Sequence, residues 1–265
     1  VRIEQPSHRT MIRTRVVRTE RVSKHFLSVV LGGADLDAFD FLGRDQFVRL
    51  FLPRRGQERL HMPTAADRRW VEEMYAMSED VRPHVRNYSV RAFDPRAREL
   101  ELEFVDHGDG GPASAWAAAA RPGDEAGILA EGVYYQPSED TDWQLLVGDE
   151  SAVPALVSIL EQSPEDLRAQ VFLEVPSADD VRPLPSRPGV DVHWLPRTDP
   201  HAVPGRLALE TVCGASLPDG RPYCFVAGEN ALPTSLRRTL VREHGVPKPD
   251  ITFVGYWKHG QAVAD

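Results

Sequence analysis

The hydrophobic texture of this chain changes character near residue 140, and that change constrains the fold more than any single motif does. Before it, apolar residues recur with a period of two in short runs separated by turns. ELELEFV, residues 99–105, is the clearest case: Leu100, Leu102 and Phe104 alternate with Glu99, Glu101 and Glu103. Such alternation sets one face of a strand on a core and the other in water. RTRVVRTERVSKHFLSVVL offers two more strands, with Phe26 and Val30 as core residues, and QFVRLFLP (46–53) and RNYSVRAF (86–93) add others. DPRAR, between RNYSVRAF and ELELEFV, is a turn. Several short strands punctuated this way predict an N-terminal antiparallel β-barrel, closed or nearly so. After residue 142 the apolar runs become continuous (WQLLVG, AQVFLEV, VDVHWLP, YCFVAGE, ITFVGYW) and alternate with helical stretches. That pattern predicts a C-terminal α/β domain built on a parallel sheet covered on both faces. The polar YYQPSEDTD (134–142) reads as the joint, giving domains of 1–136 and 137–265.

Within the first half, TAADRRWVEEMYAMSED predicts one short helix. Thr64 and Asp67 suggest a capping box, and Trp70, Met74 and Met77 share a face. The arginines at 9, 13, 15, 18 and 21 read as the solvated side of an edge strand. A formal net charge of -9 argues against nucleic acid as a partner, which would require a dense basic surface. The apolar runs are too short and interrupted to span a membrane, and the first residues lack the apolar core of a secretory signal. Two cysteines make neither a disulfide framework nor a metal site, so a cytoplasmic, reducing location is expected and no bound metal.

Two segments carry chemistry. In RNYS, a guanidinium, an aromatic ring and a hydroxyl lie along a barrel strand, and period two sends Arg86 and Tyr88 to one face and Ser89 to the other unless the strand bends. Guanidinium pairs bidentately with phosphate, so such a strand could hold a flat cofactor with a phosphate tail. In HGDGGPASAWAAAA, a glycine turn runs into a helix with Pro112 at its first position. An unencumbered helix N-terminus of this kind attracts anions through its N–H groups and dipole. Each segment alone also reads as ordinary structure.

Together the segments resemble the siderophore-interacting protein family, the FAD-dependent ferric-siderophore reductases within the ferredoxin–NADP reductase-like group. The resemblance runs in order through RNYSVR (86–91), GPASAWA (111–117), LLVGDESAVPAL (145–156), FVAGE (225–229) and GYWKHG (255–260), nearly the whole chain. It implies a flavin-binding barrel followed by a nicotinamide-nucleotide-binding α/β domain, a ferredoxin reductase-like fold. It further implies that Arg86 holds the FAD pyrophosphate or ribityl region. Tyr88 would stack on the isoalloxazine, and Ser89 would bond near its N5 edge, with Asn87 between them. His107 would line the adenosine side, and the backbone of Gly111, Ala113 and Ser114 would receive the pyrophosphate, with Trp116 shielding the cofactor or packing beneath the helix. Gly148, Asp149 and Glu150 would form the nucleotide's approach, and Ala227, Gly228 and Glu229 the crevice floor. Both groups belong at the carboxyl ends of parallel strands, where open α/β sheets bind ligands.

The expected reaction needs no protein nucleophile or general base: electrons pass from NADH or NADPH through FAD to a ferric siderophore, releasing Fe(II). Glu174, Asp179 and Asp180, after the second parallel strand, would suit ribose hydroxyls and repel a 2′-phosphate, which favours NADH, although Arg182 and Arg187 nearby could reverse the preference. For the substrate, the family implies a basic pocket. Lys258 is its best candidate, with Trp257, His259, Arg82 and Arg91 around it. A flavin reductase with another acceptor or a ferredoxin donor, and a non-catalytic siderophore-binding protein, are the alternatives.

Overall fold

The computed structural model describes residues 2–57, 59–106, 111–199 and 201–261, and its contacts divide the chain into two compact units that part between Val133 and Tyr134. The first unit is a closed antiparallel barrel. Its strands are β1 (Met11–Arg21), β2 (Phe26–Gly32), β3 (Phe47–Leu52), β4 (His84–Asp94), β5 (Glu99–Val105) and β6 (Glu125–Ala130), in the order β1-β2-β5-β4-β3-β6. Helix α1 (Arg69–Ala76) follows β3, and α2 (Pro112–Ala119) follows β5. The alternation that predicts the strands also fills the barrel: Leu100, Leu102, Phe104, Val29, Leu31, Val48, Leu50 and Ile128 are fully buried in one cluster. Phe26 and Val30 are buried as expected.

Four details depart from the sequence reading. The strand β6 was not foreseen. Its short run EAGILA closes the barrel by pairing with both β1 and β3, and so β1 has no free edge. The arginines of the first segment are accordingly partnered rather than simply solvated. Arg15, Arg18 and Arg21 pair with Glu125, Glu99 and Asp106, Arg9 pairs with Glu131, and Arg13 donates to the Leu60 carbonyl. Helix α1 begins at Arg69, not near Thr64. The Thr64 N–H and hydroxyl instead donate to Glu73 at 2.6 and 3.0 Å, while Asp67 accepts from the Arg69 N–H. Lastly, Glu103 is buried despite lying on the predicted wet face of β5, because the β4–β5 register shifts between Val90 and Ala92 and Arg91 lies 3.2 Å from its carboxylate.

The second unit is a five-stranded parallel sheet of β7 (Trp143–Gly148), β8 (Ala169–Val175), β9 (Val190–Pro196), β10 (Pro222–Glu229) and β11 (Ile251–Trp257), ordered β11-β10-β7-β8-β9. Helices α3 (Val153–Gln162), α4 (Arg206–Gly214) and α5 (Ala231–Arg242) connect and cover it. Central β7 is buried along its whole length, as a strand covered on both faces must be. Leu145, Val147 and Val226 pack with Val212 of α4 and with Leu232, Leu236 and Leu240 of α5, and residues 153–160 of α3 are buried throughout. Among the described residues no helix is long and apolar enough to cross a membrane, and no cluster of His, Cys, Asp or Glu could hold a metal ion.

Candidate functional site

In the barrel unit, β4 carries RNYS with Tyr88 packed against the barrel core and Val90 fully buried within it. Period two therefore turns Arg86, Tyr88 and Val90 to one face and Asn87 and Ser89 to the other. Tyr88 rests on Phe104 with ring centroids 4.3 Å apart, and Trp116 of α2 meets the same phenylalanine at 6.0 Å. The two chemically suggestive segments, far apart in sequence, are thus joined through Phe104. Burial raises the Tyr88 phenol pKa and keeps the hydroxyl neutral, so the ring is an uncharged surface. The Arg86 guanidinium donates to the Val85 carbonyl at 2.7 Å, and Asn87 is exposed, within reach of Arg49.

Helix α2 starts at Pro112 after Gly111, and among the described residues no side chain caps it. The first N–H groups of a helix have no intrahelical acceptors, and the space where a Gly111 side chain would sit is open. Ser114 turns its hydroxyl back to the Val105 carbonyl at 3.0 Å, tying the helix to the end of β5, while Ala113 is buried beneath. His107 lies outside the described residues.

In the α/β unit, the carboxyl ends of the strands are joined by buried charges. Gly148 closes β7 where a Cβ would come within 2.7 Å of Ala152 and 2.8 Å of Leu156, so its lack of a side chain lets the start of α3 approach. Asp149 is fully buried; its carboxylate accepts from the Ser151 N–H at 2.9 Å, the Ser151 hydroxyl and the Glu229 N–H. Burial, with the charge of Glu150 beside it, pushes the Asp149 carboxyl up to about 7. Glu150 is equally buried and accepts two hydrogen bonds from Arg197, at 2.6 and 2.8 Å. Arg197 also donates to Glu174 at 2.9 Å, and Glu174 accepts the Gly205 and Ala208 N–H groups at the start of α4. Burial opposes the Arg197 charge, but the two carboxylates outweigh it and raise its pKa. In β10, Ala227 is buried, Gly228 has φ +138°, and Glu229 is buried with its carboxylate bonded to the Ala231 and His259 N–H groups.

These contacts show where several of the expected site residues stand. Glu150, Glu229 and Glu174 offer no free carboxylate to a nucleotide, and Asp180 is bonded to Ser177 in its own turn. Arg187 is bound to the Ser163 and Pro164 carbonyls after α3. Of the cations expected around the substrate, Arg82 donates to the Met74 and Met77 carbonyls, closing the end of α1, and Arg91 is held beside Glu103. Lys258 and His259 are exposed, and the Lys258 ammonium has no ion-pair partner among the described residues. Arg197 was missed by the sequence reading. The available signal was an arginine directly after one apolar strand, with glutamates at the ends of two others.

Comparison with known proteins agrees with this arrangement. The siderophore-interacting protein family matches residues 141–260, and the siderophore-interacting FAD-binding domain matches residues 15–134. Ferric vibriobactin reductase ViuB of Vibrio cholerae is 32% identical over 249 residues, 92% of this chain and 88% of that protein. The NADPH-dependent ferric-chelate reductase of Escherichia coli is 33% identical, covering 91% of each. Among solved structures, a siderophore utilization protein from T. fusca superposes with a TM-score of 0.84 at 31% identity, over 100% of this chain and 98% of that one. A ferredoxin reductase in carbazole 1,9a-dioxygenase, 16% identical with a TM-score of 0.64 over 95% of this chain and 71% of its own, shares the fold.

Proposed function

Because the chain belongs to the siderophore-interacting protein family, we propose that it is an FAD-dependent ferric-siderophore reductase drawing electrons from a nicotinamide nucleotide. The observation that carries this reading is the meeting of β4 and α2 over Phe104, which sets an uncharged aromatic ring and a helix start without a side-chain cap among the described residues in one unit. These residues fit FAD: Tyr88 would stack on the flavin, Ser89 would bond at its edge, and Arg86 would pair with its phosphates. Asn87 would lie alongside. The N–H groups of Gly111, Ala113 and Ser114 where α2 opens suit the pyrophosphate, and Trp116 supports the aromatic run from below. When bound, FAD supplies the exchange between two-electron chemistry at the nicotinamide and one-electron chemistry at iron(III). The protein orients, stacks and excludes water, and no side chain need act as nucleophile or base.

The nucleotide would lie beyond the carboxyl ends of β7 and β10, against backbone at Gly148 and Ala227, while Asp149 and Glu150 hold that edge in shape from within. The preference for NADH rested on three carboxylates, and only Asp179 is still exposed. A groove of about 550 Å³ lined by Leu184, Val190 and Trp194 offers apolar walls for an adenosine, and the ferric-chelate reductase of Escherichia coli that this chain resembles is NADPH-dependent, so we place NADPH first. No observation favours ferredoxin as donor or a protein that only binds siderophore. For the acceptor, the exposed Lys258 with Trp257 and His259 forms the candidate docking point for an anionic iron chelate. An enzyme fed by this donor works where the nucleotide is held, in the cytoplasm.

The test is anaerobic. FAD-loaded protein is mixed with NADPH or NADH in separate cuvettes, then with a ferric siderophore, while flavin absorbance and trapped Fe(II) are followed. Bleaching by NADPH, then siderophore-dependent recovery with Fe(II) appearing, is the expected course. Bleaching without iron reduction would refute the acceptor, and no bleaching with either nucleotide would refute the donor.

A further inference from the structure

The two motifs FVAGE and GYWKHG, thirty residues apart, are bound to each other at the ends of β10 and β11. The strands pair in register through Gly228 and Gly255, then slip so that Glu229 stands opposite Trp257. Beyond the slip, the Asn230 N–H donates to the Trp257 carbonyl at 2.9 Å, and the His259 N–H donates to Glu229 Oε1 at 3.1 Å. A Cβ on Gly255 would lie 2.6 Å from Asn230 Oδ1, so that glycine admits the asparagine side chain. Glu229 Oε2 meanwhile accepts the Ala231 N–H at 2.7 Å, at the start of α5. Capping α5 needs only one oxygen, and the other reaches the tail.

Glu229 is itself held from behind. Its N–H donates to Asp149, and Gly228 must be glycine there because a Cβ would come 2.6 Å from the Asp149 carboxylate group. Two buried carboxylates therefore run in series from the end of β7 to the backbone of His259, immediately beside the exposed Lys258, which has no ion-pair partner among the described residues. A buried carboxylate needs hydrogen bonds in place of its lost water, and Glu229 finds one of them only in the tail.

We propose that Glu229 is a positioning residue: through the His259 N–H it fixes the 257–259 tail, and with it the Lys258 charge that receives the ferric chelate, while Asp149 fixes Glu229. This rests on the reductase reading given above. Glu229 touches neither iron nor flavin in this role, and its effect passes through the tail.

The experiment uses flavin-loaded wild-type protein, Glu229→Gln, Lys258→Ala and the double variant, with the anionic iron(III) complex of 2,3-dihydroxybenzoate as probe. Hydrogen exchange over residues 255–261, measured without chelate, should quicken in Glu229→Gln while β7 keeps its protection. The KM for the probe should rise roughly tenfold, the scale of one lost charge-assisted hydrogen bond, and by a larger factor than the nucleotide-driven bleaching rate falls. The double variant should be no worse than Lys258→Ala alone, because a positioning effect vanishes with the group positioned. Unchanged exchange in the tail, or KM effects that simply multiply, would overturn the proposal. Should Glu229→Gln fail to fold, Gly255→Ala crowds Asn230 from the tail side, and an unchanged probe KM there overturns it equally. Failure of wild-type protein to reduce the probe would sink the reductase reading instead, and the exchange measurement would still decide whether Glu229 holds the tail.

Discussion

At the residue scale, Asp149, Glu150 and Glu174 are carboxylates with almost no exposed surface, and each persists only because charge or hydrogen bonds replace its water. Arg197 serves two of them. Truncating one member of such a group leaves the others buried and uncompensated, which costs more than the group contributed net. Arg197→Met should therefore lose on the order of 3–5 kcal/mol in a urea titration, and a loss below about 1 kcal/mol would mean that water reaches Glu150 and Glu174. Asp149 differs because its carboxyl is raised, to about 7. The native state thus holds its proton more tightly than the unfolded chain does. That contribution is complete below the unfolded pKa near 3.8 and disappears as pH rises toward the folded value. Asn at this position cannot supply three acceptors, so Asp149→Asn begins less stable at about pH 5. The gap should narrow by about 1 kcal/mol or more by about pH 8, and parallel stability–pH curves for the two proteins would contradict the shift. None of these pairings was legible in the sequence. GDE looks like a strand-to-helix turn, and its partners lie 47 and 80 residues away.

At the element scale, what was legible followed from local pattern. Alternation in ELELEFV and continuous burial in WQLLVG each specify a strand type without reference to the rest of the chain, and together they give barrel and parallel sheet. The strand β6 escaped because six residues, one of them Gly127, hold too few alternations to register. Its role comes from closing β1 against β3, where a Cβ on Gly127 would collide with Met62. Helix ends were equally poor guides. Glu73 reaches back to Thr64 across a loop, and Arg82 closes α1 from beyond its end by donating to the Met74 and Met77 carbonyls while lying over the Tyr75 ring, 5.1 Å from its centroid. The Met74 carbonyl also accepts the Met77 N–H at 3.2 Å, and Arg82 adds a second donor there and one at Met77. Arg82→Ala should lower barrel stability by roughly 1–2 kcal/mol in chemical denaturation, and should move the ferric-chelate KM less than Lys258→Ala does. The reverse ranking would return Arg82 to the substrate.

At the scale of the whole molecule, a formal charge of -9 opposes the approach of any anionic chelate. That figure already counts the arginines, and because Arg9, Arg15, Arg18, Arg21, Arg91, Arg197 and Arg221 all lie against carboxylates, they form no separate positive patch. The attraction assigned to Lys258 is therefore local and the repulsion global, and salt separates them. At about 0.01 M ionic strength the screening length is roughly 30 Å, so the distributed negative charge is felt during approach; at about 0.15 M it is roughly 8 Å, and mainly near contacts survive. In wild-type protein the two effects oppose each other, and the KM for an anionic ferric chelate should change little between those conditions. Lys258→Ala removes the attraction and leaves the repulsion, so its KM should be several-fold higher at low salt and fall as salt rises. Steady-state reduction at the two ionic strengths, with nucleotide saturating, measures both slopes. A variant KM that does not fall as salt rises would mean that cations elsewhere attract the chelate, and Lys258 would lose its place as the docking point.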